Sequence, residues 1–219
     1  MVRGGGERGP AWHEQGKLEN KPNSFLDFNS CAEYLIANRI THPNYLVGRG
    51  RSAGGLLVAQ ACLNMRPELY RACVLQVPFL DVLGNLLEED LPLAQTDHLE
   101  FGNPIESAEF FKTISSYSPY ENLAQQEYPA TFLTMSLNDP RIPKWSALKF
   151  IEKLRDRALT PEKMPNFGDK NIIMRIEREE SSGHFGSVDN NENLKNDTQI
   201  FAWLDFLMLN PQSRESISA

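Results

Sequence analysis

The sequence predicts an α/β domain built on a mostly parallel sheet, and three observations carry that reading. Short apolar, β-rich runs of strand length alternate with longer stretches whose apolar residues recur at helical spacing. A crowd of small residues, Gly50, Gly54 and Gly55 around Ser52, stands between one such strand and one such helix, as expected where two elements must approach closely. The length of 219 residues is enough to bury a sizeable core and accords with a single domain over residues 1–219.

Taken in order, residues 4–24 are polar and turn-rich and read as a long loop. In the stretch that follows, Phe25, Phe28, Cys31, Ala32, Leu35 and Ile36 fall on one helical face, with Ser24 as the N-cap. Asn44 to Val47 predicts a short buried strand. Leu56 to Leu63 predicts a helix ending near Arg66-Pro67, since proline disfavours helix at the residue before it. Ala72 to Gln76 is a second strand. Leu83 to Pro104 is an acidic, proline-punctuated excursion of the irregular kind that often carries function. Glu109 to Ser116 predicts a helix, 118–123 a turn, and Ala130 to Ser136 a buried strand. A helix capped by Ser146 then runs to Arg157 with Ala147, Phe150, Ile151 and Leu154 inward. A loop over 160–171, a strand over 172–177, a second glycine-rich loop over 179–187 and a closing amphipathic helix over 198–209 complete the chain. No repeat of solenoid length is present.

Composition narrows the function classes. A net charge of -7 argues against nucleic acid or an anionic membrane as partner, both being polyanions. No apolar run approaches the ~20 residues that span a bilayer. The opening MVRGGGERGPAWHEQGK lacks the apolar core of a secretory signal, so a cytoplasmic address is expected. Cys31, Cys62 and Cys73 are odd in number and widely spaced, which suggests buried thiols in a reducing compartment rather than disulfides or a zinc site.

The glycine-crowded passage supplies the chemistry. Gly50-Arg51-Ser52-Ala53-Gly54 matches the G-x-S-x-G elbow, in which a serine at a strained strand-to-helix turn projects its hydroxyl from the carboxyl edge of the sheet. The N–H of Ala53, at the helix start, then faces a developing oxyanion. A phosphate loop is the competing reading, but neither G-x-x-x-x-G-K-[ST] nor G-x-G-x-x-G is present. A serine needs a base and a group to orient the base. Of His13, His42, His98 and His184, only His184 lies far downstream, and Asp139 falls between, directly after a predicted strand. The order Ser52, Asp139, His184 is that of α/β hydrolases. Taken singly, Asp139 reads as a turn former.

Several stretches together resemble the catalytic domain of the prolyl oligopeptidase family of serine peptidases, most of all its oligopeptidase B branch: VRGGGERGPAWHEQGKLENKPNSFLDFNSCAEYLI, GRSAGGLLVAQACLNMRPELYRACVLQVPFLDVL, EFGNP, SYSPYENL, YPATFLTMSLNDPRIPKWSALKFIEKL and SSGHFGS. The resemblance implies an α/β-hydrolase fold, Ser52 as nucleophile, Asp139 as triad acid, His184 as base and Arg141 as a substrate-binding arginine, with no metal or organic cofactor. It also implies that Asp97 and Glu100 bind a basic substrate side chain, with Leu99 standing where a further carboxylate is expected. Family members carry a β-propeller and several hydrolase strands before the segment that opens this sequence, including a tyrosine that completes the oxyanion hole. Against that pattern the sequence lacks the first strands and the propeller, and an exposed sheet edge is expected to favour self-association. The expected function is hydrolysis of peptide bonds in small peptides, after basic residues. Two alternatives stay open: a serine esterase or thioesterase of the prolyl endopeptidase-like type, and a non-catalytic binding module.

Overall fold

The computed structural model describes residues 1–159, 171–178, 182–187 and 189–209. Four parallel strands, β1 (Val47–Arg51), β2 (Ala72–Gln76), β3 (Ala130–Ser136) and β4 (Ile172–Glu177), lie side by side in chain order. The register pairs Arg51 with Gln76, Gln76 with Thr134 and Thr134 with Arg175, so the strands end along one carboxyl edge.

Strand alternation explains the layering. Cys73 and Leu75 of β2 and Leu133 and Met135 of β3 pack with Val58, Cys62, Phe150 and Ile151. The intervening Val74 and Phe132 face the opposite way, toward Ile200, Trp203 and Leu204. A parallel sheet is thus covered on both faces, which is why β3 is buried at every position and reads as an unbroken apolar run. The first face is covered by α3 (Ala53–Ala59), its π-helical continuation over Gln60–Met65, and α7 (Lys144–Arg157); the second by α8 (Asn190–Leu209).

Several expectations from sequence are corrected. The N-terminal loop contains a short helix, α1 (Pro10–Glu14), and a turn of 3-10 helix over Leu18–Asn20. Helix α2 (Pro22–Ala37) begins before Ser24, because Pro22 occupies its first turn, where proline is pre-set for helix. Ser24 is buried and donates its hydroxyl to the carbonyl of Arg3 at 2.6 Å instead of capping. Residues 43–45 form a 3-10 turn, and the strand lies later, through the glycines. The acidic excursion is helical at two places, α4 (Val82–Leu87) and α5 (Ala94–Phe101). Buried Asp81 caps α4 by accepting from the Gly84 N–H at 3.1 Å and forms an ion pair with Lys149. Helix α6 (Ala108–Tyr117) is capped by Ser107, which accepts from Phe110 N–H. Ser146 does not cap α7, since Pro143 precedes the helix and Ser146 is enclosed within it. Helix α8 starts eight residues earlier than its apolar periodicity indicates, because its first turns are polar and are tied to the sheet side by hydrogen bonds from Asn193 to Ser187 and from Asn196 to Glu177. Cys62 and Cys73 are buried free thiols, whereas Cys31 is exposed. The predicted loop over 160–171 lies outside the described residues except for Asn171.

Candidate active site

Ser52 stands between β1 and α3, with φ 53° and ψ -121°. A side-chain-bearing residue adopts that region only at a cost of about 1–3 kcal/mol, so the surroundings must impose it. They do so through its backbone: Ser52 N–H donates to Gln76 O at 3.0 Å, and Ser52 O accepts from Gly55, Leu56 and Phe79 N–H at 2.9, 3.2 and 3.1 Å. Space imposes the glycines unevenly. A Cβ on Gly50 would sit 2.0 Å from Gly54 O, and one on Gly55 2.5 Å from Pro78 Cβ, whereas one on Gly54 meets nothing within 4 Å. Gly55, outside the five-residue pattern, is therefore required by packing, and Gly54, inside it, is not. The Ala53 N–H belongs to the first turn of α3, whose donors have no intrahelical acceptor.

Asp139 lies three residues past the end of β3. Its Oδ1 accepts from the backbone N–H of Arg141 at 2.8 Å and of Ile142 at 3.0 Å. Its Oδ2 lies 2.8 Å from His184 Nδ1. The turn-forming role and the role beside the imidazole thus coexist, one carboxylate oxygen for each. His184 occupies a turn between two short strands, β5 (Ser182–Gly183) and β6 (Gly186–Ser187), and its Nε2 stands 3.0 Å from Ser52 Oγ. The side chains of Asp139 and His184 are each only 3% exposed.

Residues that the sequence reading missed hold this turn. Ser136, at the end of β3, donates its hydroxyl to Ser182 O at 2.7 Å and accepts from Asn138 N–H at 3.2 Å. Asn193 of α8 accepts from Ser187 N–H and donates to Ser187 O. Ser136 had no signal beyond closing a predicted strand, and Asn193 fell outside every element predicted from the sequence. Chemically, an Asp139 carboxylate on Nδ1 favours the tautomer with its proton there, leaving the Nε2 lone pair aimed at the Ser52 hydroxyl.

The residues expected to bind substrate divide. Asp97 of α5 and Arg141 line one narrow hollow with Phe79, Asn85, Leu86 and Ile142. Burial raises the Asp97 carboxyl above the usual carboxylate range, with the charges of His98 and Arg141 acting against it. Arg141 also lies over the Phe185 ring at 4.8 Å. Glu100 does not line that hollow: its two oxygens are taken by His13 at 2.8 Å and Lys21 at 2.6 Å. Among the described residues no three histidines, cysteines or carboxylates cluster as metal ligands would, and no helix is long and apolar enough to cross a membrane.

With this geometry in place, residues 1–210 match the sequence family described as the prolyl oligopeptidase family, Peptidase_S9. The chain belongs to that family. Protease 2 of Moraxella lacunata is 36% identical over 204 residues, which cover 93% of this chain and 28% of that protein. The prolyl endopeptidase-like protein of Xenopus laevis is 41% identical over 157 residues, 72% of this chain and 22% of its own. Oligopeptidase B from Leishmania major superposes with a TM-score of 0.85 at 33% identity, over 99% of this chain and 28% of that one. The fold is accordingly the α/β-hydrolase catalytic portion of a prolyl oligopeptidase family member. The chain spans about a quarter of the length of these relatives.

Proposed function

We propose that this prolyl oligopeptidase family chain is a serine hydrolase acting on peptide bonds of small peptides. Ser52 Oγ attacks the scissile carbonyl carbon as His184 Nε2 takes its proton. The Ala53 N–H stabilises the resulting oxyanion, and the imidazolium returns its proton to the leaving amine; water then repeats the sequence on the acyl-enzyme. Asp139 fixes the tautomer throughout. The observation that carries this reading is the continuous path from Asp139 Oδ2 through His184 to Ser52 Oγ, at 2.8 and 3.0 Å, ending on a serine whose backbone is held in a strained conformation.

The proposal extends to specificity and association. Asp97, beside Arg141, favours a basic side chain at the cleaved position; with Glu100 paired elsewhere, that preference is weak. One edge of β1 has no strand partner among the described residues, which favours pairing with a second copy. The buried free thiols Cys62 and Cys73 suit a reducing, cytoplasmic setting, and the elements are read as one folding unit.

Reaction with a fluorophosphonate, followed by mapping of the adduct, tests the assignment. We expect one modified serine, Ser52, and a loss of ~10⁴-fold or more in modification rate and ester hydrolysis in Ser52→Ala. Undiminished modification of that variant, or an adduct elsewhere, overturns it.

A further inference from the structure

His184 is carried by a poor support. Strands β5 and β6 have two residues each and, among the described residues, pair only with one another, and so small a hairpin has little stability of its own. The position of the imidazole is therefore set by ties from outside. Ser136 holds the turn before His184, through Ser182 O, and Asn193 holds it after, through Ser187. The tie on His184 itself comes from a third place: Arg51 Nη2 donates to the His184 carbonyl oxygen at 3.0 Å.

Arg51 is the last residue of β1, immediately before Ser52. Its side chain is exposed on one side to a cavity of about 230 Å³ that Gln76, Glu177, Phe185 and Asn193 also line. A guanidinium donating to a carbonyl is a charge-assisted bond, stronger than a neutral one and directionally fixed by the planar fork. It joins the backbone of the base to the strand that ends immediately before the nucleophile, so the two cannot drift apart independently. We propose that Arg51 is a positioning residue that sets the distance between His184 Nε2 and Ser52 Oγ. The proposal rests on the triad reading above.

The test compares Arg51→Ala, Arg51→Lys and Ser52→Ala with the unaltered chain, reading the rate of fluorophosphonate modification alongside thermal unfolding. Arg51→Ala is expected to slow modification ~10- to 100-fold at an unchanged melting temperature, the scale of loss when a catalytic group is displaced by about 1 Å. Arg51→Lys, a single-point donor, should recover part of the rate. Methylguanidinium, which can enter beside the cavity, should restore Arg51→Ala and leave the unaltered chain unaffected. A folded Arg51→Ala modified at the unaltered rate overturns the proposal. So does a slowed variant that melts lower and is not restored by methylguanidinium, which would mark a purely structural role. Should Arg51→Ala fail to fold, Arg51→Met, which keeps the stem and removes the donors, carries the same comparison. Full modification of Ser52→Ala instead removes the triad reading, whereas a rate that depends on Ser52 but not on Arg51 removes only this proposal.

Discussion

Asp139 and Asp97 both lie beside Arg141, and their surroundings differ in kind. Asp139 has both oxygens committed, to two backbone N–H groups and an imidazole, and is almost fully enclosed. Asp97 projects from a helix into a hollow shared with Arg141, is partly exposed, and its carboxylate has no hydrogen-bonded partner among the described residues. The first carboxylate is over-determined by the fold. The second is held by little more than its helix and pays for burial with a raised pKa. The contrast teaches that Asp139 is positioned largely by backbone contacts, which do not depend on any ligand. Asp97, to which the proposed function gives a role in specificity, is left with capacity for a ligand to use.

The largest expected effect comes from separating the two tasks of Asp139. Asp139→Asn keeps an oxygen for the Arg141 and Ile142 N–H groups but presents the wrong partner to His184 Nδ1. Ester or peptide turnover should fall ~10³- to 10⁴-fold, with the melting temperature nearly unchanged. Asp139→Ala removes the turn as well and should melt lower, the loss of its acceptor costing about 1–3 kcal/mol. Equal melting of Asp139→Ala and the unaltered chain would show that the turn role contributes nothing.

A second test concerns the elbow itself. Gly55→Ala places a methyl group against Pro78 backbone, 2.8 Å from its Cα, where yielding requires the chain to shift. It should cost about 1–3 kcal/mol of stability and slow modification of Ser52. Gly54→Ala, in open space within α3, should leave modification unchanged and stabilise by about 0.5–1 kcal/mol through helix propensity. The reverse order of melting temperatures would contradict the packing account.

The smallest effects belong to Asp97. Asp97→Ala should lower kcat/KM for an arginyl substrate relative to a leucyl one by about 2- to 5-fold, the scale of a half-exposed ion pair; equal ratios would mark the carboxylate as a bystander. In the free protein, the raised pKa means that the folded chain binds the Asp97 proton more tightly than the unfolded chain. The resulting stabilisation is complete below the unfolded pKa and is lost as pH rises through the folded value. Asp97→Asn should remove that segment from a plot of melting temperature against pH.

How much was legible in advance follows from range along the chain. The strands at 72–76 and 130–136 and the helix over 146–157 were readable because apolar residues repeat within each segment, and burial of a parallel sheet on both faces leaves an unmistakable run. Helix starts were read less well. Ser24 and Ser146 both have capping chemistry, but a proline just upstream of each had already set the start, and the serines were drawn inside. The excursion over 83–104 looked irregular because α5 has little apolar periodicity of its own; its Ala94 and Phe101 are buried by contact with other elements.

By itself, the sequence determined the α/β alternation, the glycine-crowded turn around Ser52 and the chain order Ser52, Asp139, His184 on which the proposed triad rests, since each is written in neighbouring residues or in chain order. Tertiary structure alone decided the rest. It brought His184 within 3.0 Å of a serine 132 positions earlier, made glycine necessary at 55, against Pro78, as well as at 50, but not at 54, and divided Asp97 from Glu100 by giving the latter to His13 and Lys21. The physical reason is that hydrogen bonds and steric contacts act over a few ångströms in space, whatever the separation along the chain. Local pattern can name the groups capable of a contact, and only the folded arrangement selects which of them meet.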